Sequence, residues 1–164
     1  MRRRDKEIAD HVEIEELLTN AIVGRLGTCL NNIPYITPVN FVYNKGNIYL
    51  HSALEGRKIT NISANPKVCF EIDDKIAIIP RQPPCASTTV YKSIIIFGDA
   101  KVITDIEEKT YALNKLIEKY APQTTEVSLP AGVTNMTNVL KIKVKEISAK
   151  QSPPGKGTRT VHLK

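Results

Sequence analysis

The run Pro34-Tyr35-Ile36-Thr37-Pro38-Val39-Asn40-Phe41-Val42-Tyr43, carried through Asn44-Lys45-Gly46 into Asn47-Ile48-Tyr49-Leu50-His51-Ser52, decides how the chain is read. Its first half alternates, with Tyr35, Thr37, Val39, Phe41 and Tyr43 on one side. A period of two is the mark of a strand with one buried face. Upstream, Ala21 to Leu30 is apolar with glycines, and Asn31-Asn32 makes a turn. Two strand–turn–strand connections in succession predict an antiparallel meander.

Nearer the N-terminus, Asp10-x-x-Glu13 has the form of a capping box, and Ile14, Leu17 and Leu18 follow at helical spacing, so a short helix is expected over 11–20. Glu55-Gly56-Arg57-Lys58 opens a second helical stretch carrying Ile59 and Ile62. Asn65-Pro66 stops it, because the residue before a proline avoids the α region. Lys67 to Ile72 reads as a strand and Ile76 to Ile79 as another, after which Pro80, Pro83 and Pro84 force a loop. Thr89 to Val102 is the longest β-like run. Val90, Ile94 and Ile96 lie opposite Tyr91, Ile95 and Phe97, and Gly98 marks a bulge. Thr104-x-x-Glu107 and Asp105-x-x-Glu108 are overlapping caps for a helix over 105–120, striped by Ile106, Leu113, Leu116, Ile117 and Tyr120. A last strand near 137–147 alternates Leu140, Ile142 and Val144 with Lys141, Lys143 and Lys145. One domain is expected over 1–147, followed by a flexible Pro/Gly/Lys-rich tail at 148–164.

Six or seven strands with two or three helices, lacking regular strand–helix alternation, exclude a doubly wound sheet. The strands must pair mostly antiparallel and curl to cover their edges, giving a mostly β (α+β) barrel with peripheral helices.

Composition narrows the class. Hydrophobic residues at 41% and charged residues at 24% describe a globular chain rather than a disordered one. No apolar run approaches the ~20 residues of a membrane helix. Met1-Arg2-Arg3-Arg4-Asp5-Lys6-Glu7 has no apolar segment behind its charges, which argues against a signal peptide. Cys29, Cys69 and Cys85 are odd in number and widely spaced, and His11, His51 and His162 show no metal-ligand spacing. Buried, reduced thiols in the cytoplasm and no metal site are expected. A net charge of +6 favours anionic partners, but 5% aromatic residues give a poor base-stacking platform.

Three features carry chemistry. Gly56-Arg57-Lys58 sets two cations at a helix start, which suits a terminal phosphate, although a solvated pair has the same sequence. His51 stands half-buried on a strand, as a structural histidine or a ligand contact. Asn40 is an amide inside a strand pattern and must find partners if buried.

The ordered series Pro34 to Tyr43, Ile48-Tyr49-Leu50-His51-Ser52-Ala53, Glu55-Gly56-Arg57-Lys58 and Asn65-Pro66-Lys67-Val68-Cys69-Phe70 resembles the pyridoxamine-phosphate-oxidase-like flavin-binding superfamily, and within it the nitroimidazole-resistance (Nim) branch. Met1-Arg2-Arg3, the segment Tyr91-Lys92-Ser93-Ile94 through Phe97-Gly98 and the helix from Asp105 are similar to that branch too. The resemblance implies an FMN-binding split β-barrel, a homodimer with cofactor sites between subunits. By the same likeness, Arg57 and Lys58 hold the FMN phosphate, and Thr37, Pro38, Val39 and Asn40 run beside the flavin. His51 and Ser52 contact the cofactor, with His51 also acting in the chemistry, and Tyr91 and Ser93 complete the site, from the second subunit if need be. The deazaflavin F420 is the alternative cofactor. Oxidases that make vitamin B6 carry C-terminal tryptophans and an Arg-x-His motif. This chain has no tryptophan, and Arg159-Thr160-Val161-His162 has the wrong spacing, so that activity is not implied. The implied reaction passes hydride or electrons from a small-molecule donor to a small acceptor such as a nitroaromatic. The rivals are a flavin-binding or sensing protein without turnover, and a basic nucleic-acid-binding barrel using Lys141, Lys143, Lys145 and Arg2 to Arg4.

Overall fold

The computed structural model describes residues 6–124 and 131–152. Met1 to Arg4 and Arg159 to His162 lie outside the described residues, as does the expected tail beyond Ser152. One antiparallel sheet holds eight strands: β1 (Glu7–Ile8), β2 (Gly24–Leu30), β3 (Ile33–Val39), β4 (Val42–Asn44), β5 (Asn47–Ser52), β6 (Lys67–Ile79), β7 (Thr88–Val102) and β8 (Asn138–Ser152). Among the described residues four α-helices accompany it: α1 (His11–Asn20), α2 (Arg57–Ala64), α3 (Ile106–Tyr120) and α4 (Ala131–Met136). Among the described residues no helix is long and apolar enough to cross a membrane.

Both expected hairpins form. Asn31 and Asn32 turn β2 into β3 with φ of 51° and 61°, and Lys45 and Gly46 turn β4 into β5 with φ of 47° and 75°. Such left-handed pairs match the twist of the strands they join, which is why Asn and Gly occupy them. The meander does not form, however. The order across the sheet is β3-β2-β6-β7-β8-β5-β4, with β1 beside β8. Nor is Pro34 to Tyr43 one strand, since it breaks at Asn40-Phe41, and its halves pair at opposite ends of the sheet. That break dictates the architecture. β3 and β4 are the two terminal strands of the sheet yet only two residues apart in the chain, so the sheet must curl until its ends meet. The result is a split barrel whose slit lies between β3 and β4.

The inner face carries the core. Leu26, Phe41, Ile48, Leu50, Phe70, Ile72, Ile94, Ile96, Leu140 and Ile142 are almost wholly buried, each contributing about 1.5–3 kcal/mol by leaving water. Phe41 and Phe70 meet edge to face at 4.9 Å. Gly24 makes room for them, because a Cβ there would stand 2.1 Å from the Phe70 ring. The ladder between β7 and β8 shifts between Phe97 and Gly98, as the glycine suggested. A Cβ at Gly98 would fall 2.5 Å from the Lys143 carbonyl oxygen, so only glycine lets the strands approach there.

The helices follow their caps. The Asp10 carboxylate accepts from the Val12 N–H at 2.9 Å, while Glu13 leaves the capping box to pair with Lys92. Asp105, not Thr104, caps α3, accepting from the Glu108 N–H at 2.7 Å. Ile106 is exposed because it opens the helix ahead of the buried Ala112, Leu113 and Leu116. Three other expectations are corrected. β6 is one strand with a register shift between Asp74 and Ala77, because β7 pairs with both halves. β8 runs past 147 to Ser152, held by pairing as far as Tyr91. Finally, the free cysteines are not all buried. Cys29 and Cys69 are half-buried on strands, and Cys85 is exposed in the turn Pro84–Ala86.

Candidate active site

Two groups of side chains flank the slit. The first is built by α2. Asn61 of this helix is buried and donates to the Thr28 hydroxyl at 2.9 Å, and Thr28 in turn donates to the Tyr35 carbonyl at 3.3 Å. At the other end Asn65 donates to the Cys29 carbonyl at 2.9 Å. These links fix α2 against the β2–β3 hairpin, and Asn138 of β8 holds the preceding loop by donating to the carbonyls of Ala53 and Leu54. Gly56, with φ of 130°, turns the chain into the helix. Arg57 is thereby delivered over the Tyr35 ring, its guanidinium carbon 4.9 Å from the centroid. A cation over an aromatic face is held in place without being neutralised. Lys58 beside it is partly buried, and that burial lowers its ammonium below the ordinary lysine value.

Tyr35 and Thr37 share the inward face of β3. The Thr37 hydroxyl oxygen is buried and, among the described residues, has no hydrogen-bond partner. A buried polar atom left unsatisfied costs free energy, on the order of 1–3 kcal/mol, so it marks a place where something else is expected to bind. As the end of the sheet, β3 pairs only with β2 and leaves one backbone edge open at the slit. Pro34 and Pro38, which have no N–H to give, are tolerated there for that reason.

The second group lies where the chain breaks. Asn40 and His51 line a cavity of about 320 Å³ whose far wall is apolar, formed by Leu113, Leu116, Ile117 and Tyr120 of α3. Asn40 is exposed rather than buried, and its amide donates to the Ile22 carbonyl at 3.4 Å. His51 is likewise exposed to the cavity. Ser52, its neighbour, is buried on the opposite face of β5. Tyr120 secures the break. Its hydroxyl accepts from the Phe41 N–H at 2.9 Å and lies 2.8 Å from the Phe41 carbonyl and 2.7 Å from that of Ile22. Sequence reasoning gave Tyr120 to the core stripe of α3. The available signal was a hydroxyl-bearing aromatic at the end of that stripe.

Val39 is buried and Pro38 exposed, as their alternation requires. Tyr91 and Ser93 stand apart. His51 pairs with Val139 on β8, whereas Ser93 pairs with Lys150 and Tyr91 with Ser152. Eleven or more positions of β8 separate them, about 35 Å of extended chain. Within one chain they do not join the cavity. Among the described residues no group of His, Cys, Asp or Glu has the arrangement to hold a metal ion.

The family model for pyridoxamine 5′-phosphate oxidase matches residues 10–151. The chain belongs to this family. A solved structure provisionally named a 5-nitroimidazole antibiotic resistance protein, from Bacteroides thetaiotaomicron, is similar with a TM-score of 0.79 and 27% identity, covering 88% of this chain and 86% of that one. The FAD and heme binding protein of Mycobacterium smegmatis shares the fold with a TM-score of 0.86 at 16% identity, over 96% of this chain and 84% of its own. An uncharacterised protein of Rhizobium meliloti is 27% identical over 86 residues. The match takes in 52% of this chain, which spans about half the length of that curated relative. Of the residues that the sequence resemblance implied for a cofactor site, Arg57, Lys58, Thr37, Asn40 and His51 flank the slit of the split barrel.

Proposed function

We propose that this member of the family is a flavoprotein oxidoreductase, which holds FMN along β3 and reduces a small, flat acceptor of the nitroaromatic or quinone class. The observation that carries the reading is the unsatisfied Thr37 hydroxyl, buried on the strand whose open edge runs between the Arg57–Tyr35 stack and the Asn40–His51 cavity. From Tyr35 to Asn40 is about 17 Å of extended strand, a span suited to a ligand with an anionic tail and a flat polar-edged ring. Arg57 and Lys58 fit the phosphate by charge and position, and the Thr37 hydroxyl and free backbone groups of β3 fit the ring's donors and acceptors. F420 is the alternative ligand with the same needs.

Bound flavin would supply the hydride and electron chemistry. The chain's own part is to bind, orient and exclude water. The α3 wall of Leu113, Leu116 and Ile117 offers an apolar plane to the acceptor. Asn40 and His51 provide the polar contacts of the cavity, and His51 is suited to hold or give a proton at the acceptor. A homodimer belongs to this reading. Ile36, Ile76, Ile78, Ile95 and Phe97 are exposed on the outer face of β3, β6 and β7, an apolar surface that a second copy would cover. The partner copy would then bring its own Tyr91 and Ser93 to the site.

The test is an absorption spectrum of the purified protein, with chromatography of the chromophore released on denaturation. Flavin bands and released FMN are expected, followed by turnover with a reduced nicotinamide and a nitro compound. Bound flavin without turnover toward any acceptor would leave a binding or sensing protein. A colourless protein that takes up neither FMN nor F420 would overturn the reading.

A further inference from the structure

A cavity of about 710 Å³ lies away from the slit, on the outer face of the sheet where β5, β6, β7 and β8 run side by side. Asn47, Lys67, Asp99, Lys101, Lys141 and Lys143 line it. Their order is fixed by the ladders. One row across the strands reads Lys67, Asp99, Lys143, Asn47, and the next sets Lys101 directly against Lys141.

The charges in this surface do not balance. Asp99 is shared between Lys67 and Lys145, each at 2.6 Å, and these ammonium groups hold its carboxyl below the usual range. Lys141 is taken by Glu108 at 2.5 Å. Among the described residues, Lys101 and Lys143 have no carboxylate within ion-pair distance. Five ammonium groups therefore meet two carboxylates. Like charges placed opposite each other across a strand pair destabilise the sheet, and Lys101 against Lys141 is such a pair. All these lysines stand on strands rather than on loops, Lys67, Lys101, Lys141 and Lys143 at paired positions and Lys145 at the β7–β8 register shift, so their backbone positions are fixed by the sheet.

We infer that this surface is a second ligand site, separate from the slit, which takes a compact polyanion of the diphosphate class, either free or as the diphosphate arm of a nucleotide. Lys101 and Lys143 supply the uncommitted charge. The Asn47 amide, which already donates to the Lys45 carbonyl at 3.1 Å, has a second N–H to offer, and Lys67 also lines the surface. Asp99 faces the same cavity directly across the ladder from Lys143, but its charge is already met by Lys67 and Lys145. The volume of about 710 Å³ admits a nucleotide-sized molecule.

The test is calorimetric titration of the full chain, as purified, with inorganic pyrophosphate and with ADP at near-physiological salt. One saturable site per chain is expected for both probes, and tighter ADP binding would assign the nucleotide source. Lys101→Ala/Lys143→Ala should weaken pyrophosphate binding by at least about tenfold, given the usual worth of charge-assisted contacts. Lys101→Arg/Lys143→Arg should retain it. The two alanines replace exposed side chains, and an unchanged circular dichroism spectrum would show that the variant folds. Arg57→Ala/Lys58→Ala should leave this binding intact. If pyrophosphate affinity instead survives the lysine variant and falls with the Arg57/Lys58 variant, the anion belongs to the slit and the proposal fails. Absence of saturable binding, or binding of an oligonucleotide but neither small probe, also overturns it.

Discussion

At the scale of single residues, two cations with adjacent numbers have different surroundings: Arg57 lies over the Tyr35 ring, while Lys58 is partly buried. If they hold the FMN phosphate, Arg57→Ala/Lys58→Ala should weaken FMN binding at least about tenfold, since each charge-assisted contact is worth roughly 1.5–3 kcal/mol. Titration of the apo-protein with riboflavin, which lacks the phosphate, should show little difference between variant and wild type. Equal FMN affinities would remove both residues from that role. His51→Ala should retain flavin while altering kcat with at least one acceptor, and unchanged kinetics across acceptors would show that His51 only lines the cavity. The sequence identified His51 and Asn40 as polar side chains in a strand pattern, but their exposure to a common cavity depends on α3. Thr37 is the harder case. A threonine at an inward position of a strand is ordinary, and only the packed structure reveals that its hydroxyl has no partner.

At the scale of elements, α3 was legible almost to the residue, because capping and periodicity are local properties of the chain. What α3 does was not legible, because that depends on contacts far away in sequence. Tyr120 ties the helix end to Phe41 and Ile22 through one hydroxyl. Tyr120→Phe keeps the ring and leaves those backbone groups without it, which should cost about 1–3 kcal/mol in urea unfolding. A loss below about 0.5 kcal/mol would mean that water replaces the hydroxyl at no cost. Lys119, one residue earlier, has its ammonium 4.2 Å from the centre of the Phe41 ring and 3.5 Å from the Leu18 carbonyl. Burial pushes it down to about 8, against the favourable pull of the ring. An amine with a folded value below its unfolded one binds a proton more readily when unfolded, so stability rises with pH between about 8 and 10.5. The stability of the wild type relative to Lys119→Met should therefore improve across that window. A constant difference would show the ammonium to be solvated.

At the scale of the whole molecule, an antiparallel barrel could be argued from strand count and the lack of strand–helix alternation. The strand order could not, because the pairing of β2 with β6 and of β5 with β8 joins segments that carry no local mark of each other. The apolar outer face makes its own prediction. Sedimentation should find a dimer, and Phe97→Asp should shift it toward monomer with loss of flavin. A monomeric wild type that still binds flavin would refute the shared site. The break at Asn40-Phe41 also governs how the barrel breathes. In a closed hoop of strands, any opening must rupture a ladder along its length. Here the hoop has a buckle, fastened by the Tyr120 phenol and the Asn40 amide, and the gap between β3 and β4 can widen while every ladder stays whole. Deuterium should therefore enter first at the amides along the open edge of β3, and a ligand lodged in the slit would close the buckle and slow the whole rim at once.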